Sequence, residues 1–353
     1  MNKLTSLAGA LALMLAAGNA SAASYGEQLE GFPMPYPLQH FTFSSQQQSL
    51  SMGYMDVKPV GQANGHVAVL MHGKNFCGAT WESTIRALSQ QGYRVIAPDQ
   101  VGFCTSTKPD SYQYSFQQLA SNTHQLLKSL GVEKAIVIGH STGGMLATRY
   151  ALMYPQQTEK LVMVNPIGLE DWKAKGAPWR TVDEWYQREL KLSAEGIKKY
   201  EQQTYYAGNW KPEYDKWVDM LAGLNSGPGH KKVAWNSALI YDMIYSQPVY
   251  YELPDLRVPT TLFIGTADTT AIGSDIASPA VKAQLGHYEV LGKEAAKRIP
   301  HARLVEFDGM GHAPQMEAPE KFQEGGKGVN RRELTKVSDR CERTQPTNLR
   351  PEV

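Results

Sequence analysis

The chain has 353 residues, 42% of them hydrophobic and 20% charged, with 35 Lys and Arg against 34 Asp and Glu. That apolar fraction excludes a wholly disordered chain, and a formal net charge of +1 gives no electrostatic basis for nucleic acid as the main partner. Three cysteines are too few for a disulfide-built scaffold and form no CxxC pair, which leaves an enzyme or a small-molecule binder of one large or two ordinary domains.

The N-terminal residues come first. Lys3 precedes an apolar run from about Leu7 to Ala17, and Ala20-Ser21-Ala22 supplies the small residues a signal peptidase reads. The pattern predicts a signal peptide cleaved after Ala22 and a periplasmic or secreted protein. The run is shorter than the roughly 20 apolar residues of a membrane span, and no Cys follows it, so no membrane anchor is expected. His40–Phe43 and Leu50–Val57 then read as an antiparallel hairpin. Short continuous apolar runs follow at Val67–Met71, Arg94–Asp99, Ala135–Ile138, Leu161–Val164, Thr260–Ile264 and Arg303–Phe307, the mark of buried parallel strands. Helical spacing separates them at Trp81–Gln91, Phe116–Leu130, Met145–Tyr154 and near Glu294–Ile299. The alternation predicts an α/β fold, a mostly parallel central sheet with helices on both faces.

Two stretches depart from that alternation. From about Gly168 to Pro254 no strand is visible, yet the stretch holds six of the seven tryptophans and nine of the 18 tyrosines. It is expected to be a helical lid inserted after the sixth strand, over the sheet's carboxyl edge, with some of its rings lining a pocket and the rest forming its own core. From Glu324 onward apolar residues are sparse and aperiodic, and seven basic residues stand against five acidic. The expected organisation is thus a signal peptide over 1–22, a core over 23–167 and 255–323, a lid over 168–254 and an atypical, disordered tail over 324–353.

The chemistry-bearing residues fall at strand ends. The strand Ala135–Ile138 runs into Gly139-His140-Ser141-Thr142-Gly143-Gly144 and a helix, a G-x-S-x-G turn that lifts Ser141 above the sheet as a candidate nucleophile. Serine needs a base, and the base an orienting acid. Asp268 follows one later strand and His312 the next, at the same sheet edge. His312 is the expected base and Asp268 its acid. Glu170, Asp171 and Asp275 are rival acids, and Asp308 lies too near His312 along the chain. His140 is expected to point into the fold as a packing residue. For an oxyanion, the expected donors are the N–H of Thr142 and that of Lys74 or Asn75, in the loop after the first parallel strand. His72, in the same loop, is read as a structural hydrogen-bonding residue. No metal cluster, phosphate loop or dinucleotide fingerprint is visible, so no metal or cofactor is expected; the partner expected is a small-molecule substrate, with oligomeric state open.

These residues resemble the lid-bearing α/β-hydrolase fold family that includes epoxide hydrolases, haloalkane dehalogenases, carbon–carbon bond hydrolases, esterases and perhydrolases. The resemblance rests on His72-Gly73 with Trp81, on Pro98-Asp99-Gln100-Val101-Gly102-Phe103 with Ser106 and Lys108-Pro109, and on Gly139 to Gly144. It continues in Gly265 with Asp268 and in Gly311-His312-Ala313-Pro314 to Pro319. It covers about residues 40–322 and implies a Ser141, Asp268, His312 triad. Epoxide hydrolases and dehalogenases attack with an aspartate where Ser141 stands, so the resemblance points to acyl-type chemistry, an ester-like cleavage through an acyl-enzyme. Perhydrolase or haloperoxidase-like activity, carbon–carbon hydrolysis and a non-catalytic binder are alternatives. The family usually has glycine at Cys104. Cys77 and Cys104 lie in loops over the same sheet edge, and in an oxidising compartment a Cys77–Cys104 disulfide is expected, buried free thiols being the alternative. The family also continues past Pro319 into a final amphipathic helix. Here Glu320-Lys321-Phe322 begins one, and Gly325-Gly326 is expected to break it, with Cys341 in the tail beyond.

Overall fold

The computed structural model describes residues 23–327. Residues 1–22, where a signal peptide is expected, Cys341 and all of the tail beyond Lys327 lie outside the described residues. In chain order the strands are β1 (Leu38–Ser45), β2 (Gln48–Val57), β3 (Val67–Met71), β4 (Arg94–Pro98), β5 (Ala135–His140), β6 (Thr158–Val164), β7 (Thr260–Gly265) and β8 (Arg303–Phe307). The helices are α1 (Glu82–Gln90), α2 (Phe116–Ser129), α3 (Thr142–Met153), α4 (Val182–Glu189), α5 (Ala194–Thr204), α6 (Asp215–Ser226), α7 (His230–Ser246), α8 (Pro279–Lys282), α9 (Tyr288–Arg298), α10 (Pro314–Glu317) and α11 (Pro319–Lys327).

All eight strands form one sheet in the order β1-β2-β4-β3-β5-β6-β7-β8. β1 and β2 pair antiparallel across the turn Gln46-Gln47, whose two residues both have positive φ, as the twist of a tight hairpin requires. β2 pairs antiparallel with β4, and from β4 to β8 every pairing is parallel.

Alternation along the strands divides the core in two. Val69, Met71, Ile96, Val137, Leu161, Met163, Leu262 and Ile264 share one cluster with residues of α2, α3 and α9. Leu70, Val95, Ala97, Ile138, Val162 and Phe263 face the other way, onto Trp81, Ile85 of α1 and Phe322 of α11. Apolar side chains at successive positions therefore serve both faces, which is why these strands read as unbroken apolar runs.

Local chemistry sets the helix ends. Ser115 caps α2 by accepting from the Gln118 N–H at 3.0 Å. Thr181 and Glu184 form a reciprocal capping box at the start of α4. The stretch expected as a helix from Trp81 begins instead as a tighter turn, Gly78–Trp81, and becomes α-helical at Glu82. The helix expected near Glu294 starts earlier, at Tyr288, whose ring is buried.

The C-terminal expectation needs correction within the described residues. α11 passes through Gly325-Gly326 to Lys327 instead of breaking there. Phe322 packs on Phe263 and Phe307 with ring centroids 5.2 and 5.9 Å away, and a Cβ on Gly325 would lie only 3.1 Å from Phe307. Docking on these rings outweighs the helix penalty of about 1 kcal/mol per glycine.

Four α-helices, α4 to α7, lie between β6 and β7, where the sequence shows no strand. No helix among the described residues is long and apolar enough to cross a membrane.

Candidate active site

β5 ends in a turn that only small flanking residues permit. Ser141 has φ 58° and ψ −122° and sits immediately before the first turn of α3. A Cβ on Gly143 would lie 2.2 Å from the Met71 carbonyl oxygen, and one on Gly139 would lie 2.0 Å from that of Gly143. The strained conformation is held by backbone bonds on both sides: Ser141 N–H donates to Val164 O at 3.1 Å, and Gly144 N–H to Ser141 O at 2.9 Å. Thr142 is the first residue of α3, where backbone N–H groups have no partner within the helix.

His312 lies on the loop after β8, and its Nδ1 donates to Asp268 Oδ2 at 2.6 Å. Both side chains are buried. Asp268 also accepts from Asn165 Nδ2 at 2.9 Å and from the Thr270 N–H at 2.8 Å. Asn165 is in turn fixed by the Gly265 N–H, which donates to its Oδ1 at 2.8 Å. His140 is buried as expected and does more than pack. Its Nε2 donates to the His312 carbonyl at 2.8 Å, and burial together with the neighbouring His312 holds its pKa well below the usual imidazole value. The same loop is tied to the insertion, because the His312 N–H donates to Thr204 O at 3.1 Å, and the Tyr205 ring stacks on the imidazole at 5.5 Å.

The rival acids are occupied elsewhere. Glu170 binds Lys175 Nζ at 2.6 Å and the Gly286 N–H at 3.0 Å. Asp171 accepts from the Tyr251 hydroxyl, Asp275 pairs with Arg180 at 2.8 Å, and Asp308 accepts from Thr266.

The loop after β3 passes close to the serine, since a Cβ on Gly73 would lie 2.9 Å from that of Ser141. His72 braces this loop: Nδ1 donates to Gly73 O at 2.8 Å, and Nε2 accepts from the Gln100 N–H at 3.1 Å. Cys77 and Cys104 are joined in a buried disulfide with Cα atoms 5.8 Å apart. Asp99 ties the same two loops by accepting from the Gly78 N–H at 2.6 Å and the Thr105 N–H at 3.1 Å. Asn75 Nδ2 donates to the Tyr205 hydroxyl at 2.9 Å, a second link from this edge to the insertion.

Ser141, Thr142, Lys74, Asn75 and His312 all line one cavity of about 680 Å³, while Asp268 sits behind His312. The insertion supplies Trp185, Arg188, Tyr200, Tyr205 and Tyr241 to its wall. Other rings of the insertion serve packing: Trp172 and Trp217 join the core shared with the sheet, and Trp210 packs edge-on against Tyr206 and Tyr214.

Sequence reasoning missed Asn165, whose only signal is a polar residue directly after a buried strand. It also missed Glu189, a buried carboxylate of α4 that accepts from Lys74 Nζ at 2.7 Å, Arg188 Nη1 at 2.7 Å and Ser237 Oγ at 2.6 Å. Burial pushes the Glu189 pKa up, but Lys74 and Arg188 outweigh it and leave the net shift downward. Glu201 of α5 has no such partners among the described residues. Burial raises its pKa to about 8, and its Oε2 has no hydrogen-bond partner among the described residues. Nothing in the run Glu201-Gln202-Gln203 distinguishes it from a solvated helix face.

A serine on a strand–turn–helix elbow, with a carboxylate-braced histidine returning from the last strand, is an arrangement that comparison with known proteins can place. A family model described as alpha/beta hydrolase fold matches residues 69–319, and the chain belongs to that family. A solved structure from Pseudomonas aeruginosa, titled a probable hydrolytic enzyme, is 62% identical with a TM-score of 0.86, covering 87% of this chain and 98% of that one. A cis-3-alkyl-4-alkyloxetan-2-one decarboxylase of Xanthomonas campestris is 32% identical over 46% of this chain and 59% of its own length. The bifunctional epoxide hydrolase 2 of Sus scrofa is 34% identical over 33% of this chain and 22% of its own. The chain thus spans less than two thirds of the length of each of these two curated relatives.

Proposed function

We propose that the chain is an exported serine hydrolase that cleaves small, fairly apolar, ester-like acyl substrates through an acyl-enzyme. The observation that carries this reading is the meeting of Ser141 and the Asp268-braced His312 on one cavity. With Nδ1 donating to Asp268, the other ring nitrogen of His312 is left to accept the Ser141 proton. Ser141 Oγ attacks the acyl carbonyl, and the N–H groups of Thr142 and of Lys74 or Asn75 receive the negative charge that develops on oxygen. Collapse breaks the ester bond, and the departing alcohol takes the proton from His312. Water then repeats the sequence against the acyl-enzyme and releases the acid. The scheme uses side chains, backbone and water alone.

Serine at the elbow supports acyl transfer over epoxide opening, in which an aspartate attacks. The pattern of residues 1–22 supports export, checked by N-terminal sequencing of protein recovered from the periplasm or medium. The reaction is tested with Ser141→Ala. Hydrolysis of p-nitrophenyl esters should fall by at least about 10³-fold, and labelling by a fluorophosphonate probe should vanish. Undiminished labelling of the variant would overturn the assignment.

A further inference from the structure

The cavity wall where the insertion meets the loops after β3 and β7 carries more positive charge than it neutralises. Glu189, buried beneath the wall, holds Lys74 and Arg188 side by side. Asp275, which is 44% exposed, lies between Arg180 at 2.8 Å and Arg188 at 3.5 Å. Lys282, at the end of α8, reaches the same cavity, is exposed and makes no ion pair among the described residues. Four cations therefore face two carboxylates, and Lys74, Arg188 and Lys282 among them line the cavity itself. Asp268 is a third carboxylate nearby, but it lies behind His312 and does not line the cavity.

These cations are built around an aromatic platform. Trp185 and Tyr241 stack with centroids 4.2 Å apart and planes within 8°, and both line the cavity. Lys74 Nζ sits 4.0 Å over Tyr241 and the Arg180 guanidinium 4.7 Å over Trp185. Arg188 lies within 5.5 Å of both ring centres. Tyr241, which is only partly buried, offers an apolar edge to the middle of a substrate. The excess cation, in a cavity with low-dielectric walls, concentrates anions and gives a carboxylate charge-assisted donors. A wholly neutral substrate would gain nothing from that charge.

Resting on the serine-hydrolase reading above, we propose that the substrate is an acyl ester that also bears a carboxylate, with its ester carbonyl at Ser141 and its carboxylate on the wall formed by Lys74, Arg188 and Lys282. Monoesters of short dicarboxylic acids are the simplest members of this class.

The test compares two esters of equal chain length, p-nitrophenyl pentanoate and the mono-p-nitrophenyl ester of glutaric acid. The expected result is a kcat/KM about tenfold or more in favour of the glutarate ester, shrinking as salt screens the wall. Lys282→Ala and Arg188→Gln should each lower kcat/KM for the glutarate ester more than for the pentanoate, chiefly through KM. Lys282 is exposed on a four-residue helix, so its variant gives a readout even if Arg188→Gln fails to fold. Equal or lower kcat/KM for the glutarate ester, or a ratio unchanged in the variants, overturns the proposal. Fluorophosphonate labelling of Ser141 separates the two readings. Labelling without a carboxylate preference defeats this proposal alone, and absence of labelling defeats the serine-hydrolase reading beneath it.

Discussion

At the sheet edge, Ser141, Asp268 and His312 each leave the carboxyl end of a parallel strand or its following loop, and backbone contacts seat them: the close approach of Gly143 to Met71, the Val164 carbonyl, the amide of Asn165. In the insertion, the groups facing the cavity are long side chains on α4, α5 and α7, seated by other side chains, above all by buried Glu189. The first region tolerates little because strands and turns cannot shift separately. The second rests on side-chain pairs, one of which, Glu189 with Lys74, reaches back to the loop after β3, and side chains can be exchanged without moving a strand. Fixed chemistry with adjustable substrate binding is what such a division of labour permits.

Three substitutions probe that contrast. Gly143→Ala should be the most damaging, because the new Cβ meets backbone, and Met71 O can retreat only if β3 moves. We expect a loss of at least about 3 kcal/mol or failure to fold, read by denaturant unfolding. Asn165→Ala removes one of three donors to Asp268 and uncaps the Gly265 N–H. It should cost about 2 kcal/mol of stability and lower kcat about tenfold to a hundredfold with little change in KM. A fall confined to KM would show that Asn165 serves the pocket and not the histidine.

The third substitution lies in the insertion and depends on pH. Glu201 has a folded pKa of about 8, raised by burial from 4.5, so it binds its proton more tightly folded than unfolded. Its destabilising effect is therefore absent below the unfolded value, grows as pH rises from 4.5 toward 8, and is complete above that. Glu201→Gln should accordingly gain stability over the parent between about pH 5 and about pH 9, by roughly 2 kcal/mol or more. A stability difference that does not change with pH would mean that Glu201 has a partner for its charge.

Much of the sheet-edge region was readable from residue order. The six parallel strands are legible as continuous apolar runs, and β1 and β2 as an antiparallel hairpin. Gly139 to Gly144 is legible because a turn with so little room admits few residue types. Asp268 and His312 stand out because parallel strands deliver their following loops to one edge. Asn165 escaped because a single asparagine after a strand has no local signature; its role exists only where β6 and β7 lie side by side. The persistence of α11 through Gly325-Gly326 escaped for a related reason, since local propensity argues against it and three phenylalanine rings decide for it.

The sequence by itself therefore determined the alternation of elements, the elbow serine and the order of its candidate partners, because each follows from short-range rules of periodicity, turn space and chain direction. Only the tertiary structure decided which acid braces His312, that Cys77 and Cys104 join, and that Glu189 gathers Lys74 and Arg188 against the Trp185–Tyr241 platform. Lys74 and Glu189 are 115 positions apart. Pairings at such range are set by how the insertion settles on the sheet edge, and that packing, a sum over many weak contacts, leaves no periodic trace along the chain.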